Sequence, residues 1–130
     1  MISPHGPVES KELSDAQRIK RMCSGLLDAN TLDATVGIGY ISTPITVTAV
    51  EVYATATANN GALVIDVGID GDDDAIVAAE SIASITKDGV HECTIDTADV
   101  DANHMITASI NTADGAGGTI QVAIEYYENE

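Results

Sequence analysis

The feature that most constrains this chain is the run ITVTAVEVYATATA at residues 45–58. Its apolar residues recur at every second position, the spacing of a strand with one buried face, and no helical period runs through it. Ile45 and Val47 share one parity, whereas Val50, Val52, Ala54 and Ala56 share the other. A one-residue slip turns every side chain to the opposite face. The change of phase near Ala49 therefore predicts a β-bulge, or a bend between sheets.

The same grammar continues downstream. Asn59-Asn60-Gly61 is a turn signal. In ALVIDVGID, residues 62–70, Leu63, Ile65, Val67 and Ile69 read as facing inward. Asp66, Gly68 and Asp70 read as facing outward, with Val64 the one apolar exception on that side. A turn is expected at 71–74, and strands at 75–79, 82–86, 90–95, 104–110 and 119–127. With the lead-in TVGIGY this makes about eight short strands and no intervening helix, which predicts an all-β antiparallel sandwich, by preference a jelly roll. At 130 residues there is room for one such domain. With no Trp, no Phe and four Tyr, its core must be built from Ala, Val, Ile and Leu.

Residues 1–34 read differently. Residues 1–13, with Pro4, Gly6 and Pro7, suggest an extended arm. Residues 15–28, DAQRIKRMCSGLLD, predict one short helix: Ser14 is a candidate N-cap, Gln17 completes a capping box, and Ile19, Met22, Cys23, Leu26 and Leu27 fall on one helical face. Gly25 weakens it by about 1 kcal/mol relative to Ala. So short a helix is marginal in water and must dock, either on its own domain or on a partner subunit or neighbouring copy. The expected organisation is an arm with helix at 1–34 and a sandwich at 35–130.

Charge divides the chain at nearly the same place. Residues 1–21 hold four of the five bases, Lys11, Arg18, Lys20 and Arg21, against three acids. The remainder holds one base, Lys87, against 18 of the 21 acids, and the whole carries a formal charge of −16. So acidic a body argues against nucleic acid, whose phosphates need a basic surface, and against anionic membranes. No apolar stretch approaches the roughly 20 residues of a membrane helix, and the N-terminus shows no secretory-signal pattern. Cys23 and Cys93 form no CxxC pair and read as reduced, mostly buried thiols.

Little points to chemistry. Asp66, Asp70, Asp72, Asp73 and Asp74 are the densest acidic group, with Asp66, Asp70, Asp72 and Asp74 the candidate Ca²⁺ ligands. The EF-hand pattern fails, because counting from Asp66 the third position is Gly68 and the twelfth is Val77, where a bidentate Glu is required. The preferred reading is a solvated acidic turn, with Asp96, Asp99 and Asp101 a weaker case of the same kind. His91 and Cys93 share a sheet face and with His104 could supply Zn²⁺ ligands, although ordinary strand residues are the simpler reading. Paired acids without Trp or Phe platforms do not suggest a glycosidase. No GxSxG, GxGxxG, HExxH or phosphate loop occurs. The expectation is a protein that is not an enzyme and needs no cofactor.

The run ITVTAVEVYATATANNGALVIDVGIDGDDDAIVAA, with its DVGxxGDxDA stretch from Asp66 to Ala75, and the closing GGTIQVAIEYYE resemble segments of tailed-phage virion proteins. The resemblance covers roughly residues 40–127 and leaves residues 1–34 unmatched. It implies a small β-sandwich in a capsid decoration (head cement) protein or a related head or tail component. Such proteins often form trimers on the outer capsid surface, with an arm reaching neighbouring subunits. The expected partner is then the major capsid protein, the expected oligomer a trimer, and the expected contact residues Arg18, Ile19, Arg21, Met22, Leu26 and Leu27. Deleting residues 1–28 should abolish capsid binding and leave the sandwich folded. The alternative is a virion fibre or lectin-like module with an acidic Ca²⁺-binding loop. The Asp-rich, Lys-poor composition suggests either a high-salt host, since molar salt screens a body this acidic, or an acidic marine-phage protein.

Overall fold

The structure, a computed structural model, describes residues 18–56, 63–82, 85, 88–113 and 118–129. Ten strands occur among them: β1 (Lys20–Cys23), β2 (Leu27–Asp28), β3 (Thr35–Ile41), β4 (Ile45–Ala56), β5 (Val64–Ile69), β6 (Asp72–Ser81), β7 (Val90–Glu92), β8 (Asp99–Val100), β9 (His104–Thr112) and β10 (Thr119–Glu128). No helix occurs among the described residues.

The strands form two antiparallel sheets. One runs β1-β10-β4-β7, with β2 also on β10 and β8 also on β4; the other runs β3-β9-β5-β6. If β1 with β2, and β7 with β8, each count as one interrupted strand, eight positions remain. The chain crosses between sheets after the first position and again after β3, β4, β6, β8 and β9, and its first and last strands are neighbours. That wrapping is the jelly roll, in which long-range antiparallel pairs form two four-stranded layers. The sandwich expectation holds, and so does the preferred topology.

The phase change in β4 is a bulge. Glu125 of β10 faces Ala49 but Tyr126 faces Val47, so Thr48 is skipped. That single insertion lets Ile45 and Val47 before it, and Val50, Val52 and Ala54 after it, all reach the core. Ile120, Val122 and Ile124 of β10 meet them there, together with Leu63, Ile65 and Val67, and Ile106, Ala108 and Ile110. No aromatic side chain is fully buried among the described residues. The core is mostly β-branched, with few rotamers to lose, and each such side chain contributes about 1.5–3 kcal/mol on burial.

The N-terminal segment departs from expectation. Residues 20–28 are not helical: β1 pairs with β10 from Lys20 opposite Tyr126 to Cys23 opposite Ala123, and Leu27 of β2 faces Ile120. Between them the Ser24 backbone N–H donates to the Val122 carbonyl (2.7 Å), and the Ser24 hydroxyl accepts from the Val122 N–H (2.9 Å). Residues 20–28 thus fill the first position of the jelly roll and cannot be removed without uncovering β10, so the sandwich begins before residue 35. The arm at 1–13 and residues 15–17 of the expected helix lie outside the described residues. Of the strand expected at 82–86 only Ile82, which follows the end of β6, and Ile85, an isolated bridge, are described, and β8 appears inside the loop expected at 97–103.

Candidate functional site

Lys20 and Arg21, adjacent on β1, point to opposite faces of the first sheet, Arg21 to its outer face. Arg21 stands opposite Glu125 in the β1–β10 register. Its Nη1 lies 3.0 Å from Glu51 Oε1 and 3.1 Å from Glu125 Oε1. Its Nη2 donates to the Tyr53 hydroxyl, and the guanidinium lies 5.4 Å from the centre of that ring. The Tyr53 hydroxyl donates in turn to Glu51 (3.0 Å). Lys20 pairs with Glu128 at 2.6 Å, which holds its ammonium above the usual range. Exposed pairs of this kind add little to stability.

The six expected contact residues therefore separate. Leu27 is in the core, and Met22 packs against it, reaching across to Gly39 of β3. Both serve the sandwich itself. Arg21 is held by its own sheet. Ile19 and Leu26 are exposed, by 51% and 63%, and Arg18 is also on the surface. Leu32, Tyr40, Val90 and Met105 are further exposed apolar side chains, of which Tyr40 and Met105 are cross-strand neighbours.

The DVGxxGDxDA stretch proves to be scaffold. In β6, Ile65 faces Glu80 and Val67 faces Val77, so one residue too many lies between, and Ala79 takes a φ of 53°. The bulge leaves the Ala79 N–H without a ladder partner, and Asp66 supplies one: its Oδ1 accepts that N–H at 2.7 Å, and its Oδ2 accepts from Asn111 at 3.1 Å. Asp66 faces outward as expected but is buried. Gly68 is required because the backbone of Asp72 and Asp73 crosses directly over it, where any β-carbon would collide. Gly71 makes the turn with φ 87°. Asp70 accepts from the Met105 N–H (3.0 Å) and pairs with His104 Nδ1 (2.9 Å); the His104 bond, then the backbone one, holds its carboxyl below the usual range.

Of the four expected Ca²⁺ ligands, then, Asp66 is a buried structural acceptor and Asp70 is bonded to β9. Only Asp72 and Asp74 come together, joined by Asp73, and all three are exposed in the strand β6 rather than in a turn. A side-chain hydrogen bond with Asp72, then desolvation, pushes the Asp74 carboxyl up. Behind them Asp33, Thr35, Asp66, Asp73, Ser109 and Asn111 line a recess of about 340 Å³, into which the buried Ser109 hydroxyl brings no hydrogen-bond partner.

The expected trio of His91, Cys93 and His104 is broken, because His104 belongs to Asp70. Glu80 takes its place. His91 lies opposite Val52 and Glu80 opposite Ile65, so both point between the sheets, from the facing edge strands β7 and β6. Glu80 Oε2 lies 2.9 Å from His91 Nε2, and Oε1 accepts the Thr94 N–H at 3.0 Å. Cys93, two residues beyond His91, is buried beside them, and burial, with Glu80 and Glu92 adding to it, pushes its thiol up to about 12. Such a thiol is inert as a nucleophile at neutral pH. An inward charge on an edge strand also deters edge-to-edge pairing.

No protein-family model matches this sequence, and no curated protein matches it. Solved structures do match its fold. A chain of the cyanophage Pam1 capsid asymmetric unit superposes with a TM-score of 0.62 over 88% of this chain and 87% of that one, at 17% identity. A chain of the capsid of Ralstonia phage GP4 does so with a TM-score of 0.52 over 84% and 85%, at 15% identity. Both structures are phage capsids. The shared property is the jelly roll, matched over nearly the same share of each chain.

Proposed function

We propose that this chain is a structural protein of a tailed-virus virion, a decoration subunit that binds the outer surface of the capsid and stabilises the head. The observation that carries the reading is the jelly roll held in common with chains of two phage capsids, along almost the full length of either partner. The DVGxxGDxDA resemblance points the same way, and within it Asp66, Gly68 and Asp70 hold β5, β6 and β9 together. The partner in this reading is the major capsid protein, and the oligomer is a trimer. Ile19 and Leu26, exposed beside the first strand, are the contact residues, with the acidic outer faces turned to solvent.

The test mixes full-length protein with purified heads assembled from the cognate major capsid protein alone. The expected result is co-sedimentation to a saturating stoichiometry and a higher melting temperature for the heads. Ile19→Asp combined with Leu26→Asp should weaken binding without changing the fold of the free protein. Absence of co-sedimentation at any protein excess would overturn the reading. Light scattering on the free protein, at low and at molar salt, tests the trimer.

A further inference from the structure

The side of the sandwich where β6 meets β7 carries a second, independent feature. Glu80 enters from one sheet, and His91 and Cys93 from the other, with one ligand atom of each within 4.8 Å of the other two. We propose that Glu80, His91 and Cys93 bind a single divalent cation of the zinc class, which staples the two sheets together along this side.

Three properties of the trio support the assignment. The first is donor type. Sulfur, imidazole nitrogen and one carboxylate oxygen form the set that four-coordinate Zn²⁺ accepts, and thiolate with imidazole disfavours Ca²⁺ and Mg²⁺. The thiolate and carboxylate together balance the two positive charges, so the filled site is neutral.

The second is geometry. Zn–S near 2.3 Å and Zn–N or Zn–O near 2.0 Å place tetrahedral ligands about 3.3–3.5 Å apart. The present Glu80–His91 separation of 2.9 Å need only open slightly, and the 4.8 Å limit on the others closes by about an ångström, within the reach of side-chain torsions.

The third is support and access. The Thr94 N–H holds Glu80 Oε1, leaving Oε2 directed at His91, which is how outer hydrogen bonds orient a ligating carboxylate. His91 and Glu80 keep 29% and 17% of their side chains exposed, so an ion has an entry path and water can complete the fourth position. On binding, the Cys93 thiol proton is released to solvent.

The probe is Co²⁺, added to full-length protein kept reduced and freed of metal by chelation. The expected result is one-to-one binding with a thiolate-to-cobalt charge-transfer band, displaced by one equivalent of Zn²⁺. Cys93→Ser should abolish the band, whereas Cys23→Ser should leave it intact. His91→Gln and Glu80→Gln, at partly exposed positions, should each weaken Co²⁺ at least about tenfold while circular dichroism stays native. Zn²⁺ should raise the melting temperature of the parent protein, and Ca²⁺ and Mg²⁺ should not. Absence of the band, or a band that survives His91→Gln and Glu80→Gln undiminished, would overturn the proposal. Weak binding without the band, the behaviour of Asp72, Asp73 and Asp74 alone, would overturn it equally.

Discussion

A two-layer sandwich has two open sides, and this molecule closes them by different means. On the side where β1 meets β3, a flexible thioether does the work: Met22 reaches from one sheet across to Gly39 of the other. The polar groups there, Lys20 and Arg21, stay in contact with solvent and pair with acids of their own sheet. On the side where β6 meets β7, charged and ligating groups point inward, and β6 itself is bulged and pinned by Asp66. A methionine adapts to many neighbours; a buried carboxylate with two donors does not. The first side should therefore tolerate substitution, and the second should be specific and brittle.

The comparison can be broken most severely at Gly68. Gly68→Ala places a methyl against backbone rather than against a movable side chain, and should cost about 3 kcal/mol in urea unfolding. Asp66→Ala comes next. It orphans the Ala79 N–H and the Asn111 amide, and should cost about 2–3 kcal/mol, with Asp66→Asn milder because it keeps an acceptor. On the opposite side, Met22→Ala removes a partly buried side chain and should cost about 1–2 kcal/mol, less than a fully buried truncation. Arg21→Ala should cost under about 1 kcal/mol, and that cost should shrink further in molar salt. If the order of the Asp66 and Met22 variants were reversed, the contrast between the sides would be wrong.

Acid sharpens the same contrast. Asp70 is held below the usual carboxylate range by His104 and then by the Met105 N–H. Its contribution to stability is therefore fully present above the ordinary carboxylate pKa, and is lost as pH falls through the lowered value. Asp74 has the opposite sign: its side-chain hydrogen bond with Asp72, then desolvation, raises it, so its unfavourable share is relieved as pH falls through the raised value. Asp70→Asn should flatten the acid limb of a stability profile, and Asp72→Asn should make the protein slightly more stable at neutral pH.

Much of this was written plainly in the sequence, and the exceptions share a cause. The parities of β4 and β10 have long alternating runs behind them, and even the bulge at Thr48 shows as a phase change. β1 and β2 are four and two residues long. Ile19, Met22, Cys23, Leu26 and Leu27 fit a helical face, and only the edge of β10, distant in sequence, decides for strand. Tertiary pairing overrides local period when a segment is that short. Glu80 was hidden by a bulge at Ala79 that shifts the parity of β6. Asp66 was legible as outward-facing, but its burial depends on β6 folding back over it, which no local pattern announces.

The most direct test of the account is whether residues 20–24 belong to the sandwich. Hydrogen exchange on the full-length protein reads it. The account predicts that the amides of this segment, above all Ser24 bonded to the Val122 carbonyl, exchange as slowly as those of β10 beside them. Exchange at the rate of an unfolded chain, with β10 still protected, would contradict it and return the N-terminal segment to the status of a separate arm.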